Sequence, residues 1–153
     1  MNRTTGELLI RLLQALYQQI LADDFTKALS ALEDITSFVR YLTTPETPAP
    51  TIEDELKMVQ QLFHIYALED NYIFSINYHQ IDKYRVIPHA SLLCEICYHG
   101  IELIHSGCSL SGVIISESNQ QITYHLIDSC GCIYGGTIND SSLQNNSCAK
   151  FTE

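Results

Sequence analysis

Three prolines fall within eight residues, in the segment TTPETPAP that spans 43–50. Proline lacks the N–H that a helix needs and clashes with the turn before it, so no helix crosses this segment. Everything before it must form elements that end by about residue 44. A new element must start just after Pro50. The expected division is therefore 1–44, a linker at 45–50, a second region at 51–136, and a polar remainder at 137–153.

The first region is helical by pattern. Leu8, Leu9, Leu12, Leu13, Leu16 and Ile20 recur at steps of three and four, which places them on one side of a helix. The string ADDF at 22–25 breaks it. A second helix follows with Ala28, Leu32, Ile35, Phe38 and Val39 as its stripe. Two helices cannot cover both apolar faces by themselves. One solution pairs the hairpin with a second copy in a four-helix bundle, through Leu9, Leu12, Leu13, Leu16, Ile20, Leu32, Ile35 and Phe38. The other packs it on the rest of its own chain.

Beyond the prolines, Thr51 with Asp54 three residues on marks a helix start, and the pattern predicts a helix to about Asp70. The alternation in NYIFSINYHQI (71–81) predicts a strand. A helix is expected from near Pro88, with Gly107 past its end. LSGVIISES and QQITYHLID predict two strands joined as a hairpin at Ser118-Asn119. From Thr137 the chain is polar with little pattern, which fits a tail, an edge element or disorder. The fold class is α+β.

Charge narrows the function. Eighteen acidic residues against eight basic ones give a net charge of -10, which repels nucleic acid. No apolar run reaches the roughly 18 residues of a membrane span, and Glu7 and Arg11 interrupt the apolar start where a leader peptide would be uncharged. A cytoplasmic protein without membrane insertion is expected, its six cysteines reduced or metal-bound.

The order of elements carries local strings that resemble the cytoplasmic half of LytS/YesM-type sensor histidine kinases. The matching residues are Arg40-Tyr41, Thr51 with Glu55-Leu56, Ile87-Pro88, His99-Gly100 and Asp128, over roughly residues 8 to 134. The resemblance implies a helical-hairpin dimerisation domain, giving a dimeric four-helix bundle, followed by a truncated GHKL ATPase-like α/β sandwich. The departures from the family pattern fall on its chemistry. No histidine precedes His64, so the family's phospho-acceptor has no counterpart. Cys94 and Glu95 stand where the family has its catalytic Glu and its magnesium-holding Asn. The Asp-x-Gly-x-Gly loop reads Asp128-Ser129-Cys130-Gly131-Cys132, and a Cβ with sulfur obstructs the backbone approach that glycine allows. YGGT at 134–137 is a poor remnant of a second glycine motif.

Those departures imply a degenerate nucleotide pocket made of Cys94, Glu95, His99, Asp128, Cys130 and Cys132. They imply a pseudo-kinase without catalytic activity or cofactor, acting as a homodimer and binding module. Its partners would be a sensor histidine kinase or a response regulator. The alternative turns the same pocket into a metal or redox site. Cys94 and Cys97, three apart on a helix, with Cys130 and Cys132 opposite, make up the ligand set of a zinc or iron–sulfur centre. Against this, free cysteine packs well as a small apolar side chain.

Overall fold

A computed structural model describes residues 3–44, 49–66, 74–119, 121–128, 131 and 133–139. The hairpin forms as expected, with α1 at Arg3–Leu21 and α2 at Phe25–Thr43. Asp24 caps α2 by accepting the Lys27 amide at 3.1 Å. Helix α3, Ile52–His64, starts in a complete capping box. The Asp54 amide donates to Thr51 Oγ1, and Asp54 Oδ2 accepts the Thr51 amide at 2.9 Å. The helix ends at His64, six residues short of the expected Asp70, and 67–73 lie outside the described residues.

Four strands follow the order β1 (Ser75–His79), β2 (Leu110–Ser118), β3 (Gln121–Asp128) and β4 (Ile133–Asn139), with α4 (Ser91–His105) between β1 and β2. β1 and β2 run parallel, which requires a crossover, and α4 supplies it. β2, β3 and β4 are antiparallel neighbours. β4 runs past 137, and of the alternatives open there Thr137 to Asn139 take the edge element, paired with Gln121 to Thr123. Helix α4 ends with Gly107 at φ +92, where its amide and that of Cys108 cap the last carbonyls.

Alternation along β2 and β3 turns Val113, Ile115, Ile122, Tyr124 and Leu126 toward the helices. α3 and α4 lie against the sheet, and the hairpin lies against α3 and α4, with α1 touching α4 and α2 touching α3. The chain thus stacks in three layers. One hydrophobic core passes through all of them, joining Leu8, Leu12, Ile35 and Phe38 to Leu56, Phe63, Ile96 and Val113. That core crosses the proline segment. Among the residues expected to meet a second copy, Leu12, Ile35 and Phe38 are buried in the chain's own interior, and Leu9 and Leu16 pack against it. Within the chain, the four helices pack α1 on α2, α3 on α4, α1 on α4 and α2 on α3. Leu13, Ile20 and Leu32 alone of that set stay largely exposed.

Gly100 explains part of the His-Gly string. A Cβ there would overlap the fully buried ring of Phe63 on α3 and crowd Leu110 at the start of β2. The glycine lets α4 approach α3 closely.

Candidate functional site

Helix α4 positions most of the residues that matter, and its start is unusual. Its N-cap, Ala90, is left-handed at φ 59 and makes no side-chain cap. Two of the helix's first amides, Leu92 and Leu93, donate instead to Glu55 Oε2 of α3, each at 2.9 Å. Glu55 Oε1 accepts the Tyr41 hydroxyl of α2 at 2.9 Å. The Tyr41 ring in turn contacts His89 in a tilted arrangement, with centroids 4.2 Å apart. Glu55 is fully buried. Burial pushes its carboxyl up from 4.5 to about 7, against the pull of the amides and the Tyr41 hydroxyl, which favour the anion. Tyr41, Glu55 and the turn after Ile87-Pro88 are parts of three strings noted in the sequence, and they meet in one network.

The other polar patch joins α4 to the sheet. His99 Nδ1 hydrogen-bonds the Tyr124 hydroxyl of β3, and Glu95 Oε1 lies 4.0 Å from the same nitrogen. The Tyr124 ring lies over Gly136 of β4, where a Cβ would overlap it. Gly135 makes similar room for His125 on the opposite face. The glycine pair of YGGT therefore serves side chains of the neighbouring strand. Of the six residues expected around a former nucleotide pocket, Glu95 and His99 come together. Asp128 is buried at the end of β3 opposite Leu110, its carbonyl accepting the Gly131 amide at 3.2 Å.

Cys94 and Cys97 point to different surroundings. Cys94 is half-buried against α1, its sulfur 4.0 Å from Thr5 Oγ1. Cys97 is fully buried, and burial, then the nearby Cys94 and Glu55, raise its thiol well above 9.0. Cys130 and Cys132 lie outside the described residues. Among the described residues no three His, Cys, Asp or Glu side chains are grouped to hold a metal ion.

On the hairpin side of α4, Arg11 reaches Glu102 at 3.3 Å and His105 Nδ1 at 3.3 Å, and lies 5.9 Å from the Tyr98 ring centroid. With the Gln19 side chain donating to the Ile65 carbonyl at 2.6 Å, these contacts tie α1 to the body. The opposite side of α1 is different in kind. Ile10, Leu13, Tyr17, Ile20 and Leu21 are exposed along it, and no charged residue lies between Arg11 and Asp23. Phe25, Leu29 and Leu32 extend the apolar surface onto α2. No described helix is long and apolar enough to cross a membrane. No protein-family model, curated protein or solved structure matches the chain.

The sequence missed Glu55 as a central residue although a signal was present. It falls on the apolar stripe of α3 between Ile52 and Leu56, where a solvated carboxylate has no place. Tyr124, His89 and Gly136 carried no such signal.

Proposed function

We propose that the protein is a catalytically inactive binding module of two-component-type signalling that self-associates through the outer face of its hairpin. One observation carries the reading: the apolar surface of α1, uncharged between Arg11 and Asp23, which continues through Phe25, Leu29 and Leu32 of α2. Ile10, Leu13, Tyr17 and Ile20 recur at steps of three, four and three, the spacing of a coiled-coil seam. Together with Leu21, Phe25, Leu29 and Leu32 they form an exposed set of eight large apolar side chains.

A second copy suits this face because, in a chain of net charge -10, the α1 part of it carries no charged residue between Arg11 and Asp23. The occupied face differs from the one expected at first, since Leu12, Ile35 and Phe38 are in the core. A homologous kinase hairpin or a response regulator that docks on helical bundles would read the same seam. The inactive character rests on the missing early histidine and on cysteines at the glycine positions of the loop after Asp128.

Light scattering of the full chain at micromolar concentration tests the reading. The wild type is expected to be a dimer, and Leu13→Glu with Tyr17→Glu a folded monomer. A monomeric wild type, or a dimer that survives both substitutions, contradicts it.

A further inference from the structure

The apolar outer face of the hairpin is lopsided. On α1 it runs from Ile10 to Leu21, but on α2 it fills only the first half of the helix, with Phe25, Leu29 and Leu32. The same side of α2 continues at helical spacing into Thr36 and Arg40. The two helices run antiparallel from the turn at 22–24. Residues equally far from Asp23 on either side therefore lie level: Leu21 with Phe25, Tyr17 with Leu29, and Glu7 with Val39, next to Arg40. Arg40 is exposed and makes no ion pair among the described residues, whereas Arg11, Lys27, Lys57, Lys83 and Arg85 each have a carboxylate partner.

A second copy related by a two-fold axis can meet this face in two directions. With the hairpins reversed, α2 lies on the partner's α2, and its apolar start meets Thr36 and Arg40. With the turns together, α1 lies on the partner's α2. Leu21 then meets Phe25, Tyr17 meets Leu29 and Leu13 meets Leu32, and symmetry repeats each contact. The same direction sets Glu7 opposite the partner's Arg40, at the end of the seam where the apolar residues stop. We propose that two copies dock with their turns together, α1 of each on α2 of the other, and that Glu7 and Arg40 pair across the interface and select this direction. This docking rests on the self-association inferred above and adds its direction and the residues that set it. It also gives each half of the Arg40-Tyr41 string a partner, since Tyr41 turns inward to Glu55.

Sedimentation of the full chain over a range of concentrations tests this. Glu7→Arg and Arg40→Glu each set like charges opposite one another at both ends of the dimer, and each is expected to raise the dimer dissociation constant on the order of 10-fold at low salt. An equimolar mixture of the two variants is expected to associate as the wild type does, because every mixed dimer holds two opposite-charge pairs. In a reversed dimer Glu7 would instead lie near the partner's Asp23, and Glu7→Arg would tighten association. Tighter association of Glu7→Arg, single variants as tight as the wild type, or a mixture no tighter than its components overturns the docking. Should either variant not fold, a spin label on a non-thiol side chain at Thr43 reads the direction in its place. Turns together hold the two labels within about 25 Å, and reversal parts them to about 35 Å or more, which overturns the docking. A monomeric wild type defeats the self-association itself, whereas a wild-type dimer with the wrong charge response or label distance defeats only the direction.

Discussion

Gly100 and Glu55 show how single positions on α3 and α4 govern the packing between them. Adding a methyl group at Gly100 drives a Cβ into the Phe63 ring, which has no solvent to retreat into. Gly100→Ala is expected to destabilise the protein by up to about 2 kcal/mol, the overpacking cost of roughly 1–3 kcal/mol less the helix-propensity gain of about 1 kcal/mol. Urea unfolding checks it, and an unchanged or raised midpoint contradicts the close approach. Glu55 acts through its proton. Its folded carboxyl lies above the unfolded value, at about 7 against 4.5. The stability it contributes is thus full below the lower value and lost as pH rises through the higher one. Each unit of difference corresponds to about 1.4 kcal/mol, so the loss is on the order of 3 kcal/mol.

At the scale of elements, local chemistry accounts for where helices begin. The Thr51–Asp54 box satisfies the first amides of α3 from within α3 itself. Thr51→Ala is expected to cost about 1 kcal/mol, the usual worth of an N-cap, and a denaturant midpoint shift measures it. α4 starts by a different route. Ala90 has no side-chain oxygen, and the cap arrives from another helix as Glu55. A capping signal inside the strand-to-helix loop was absent from the sequence because the donor set and its acceptor are 37 and 38 residues apart. β4 was hard to read for a related reason. Its glycines are weak strand formers, and their places are set by Tyr124 and His125 on the strand beside them.

The whole molecule is a stack of hairpin, helix pair and sheet joined by one core. If the strand-end loop after Asp128 carries cysteine where nucleotide binding needs glycine, ATP with magnesium should not stabilise the fold. A thermal scan at millimolar nucleotide is expected to show no shift, since a ligand stabilises only the state that binds it. A saturable rise in the midpoint contradicts this expectation.

Periodicity and caps were enough to place both hairpin helices, the start of α3, the helix before Gly107, and the β2–β3 hairpin. These depend on contacts between near neighbours in the chain, which leave their mark in spacing. Which side of the hairpin faces inward was beyond the reach of spacing. α1 is apolar on both sides, with Leu8 and Leu12 on one and Ile10, Leu13 and Tyr17 on the other, and both read as stripes. Hydrophobic attraction is non-directional and carries no label for its partner. Only the arrival of α3 and α4 beneath the hairpin decided that Leu12, Ile35 and Phe38 go inside and the second stripe stays out. The same docking enclosed Glu55, and enclosure, more than the identity of the residue, is what gives its carboxyl a pH response.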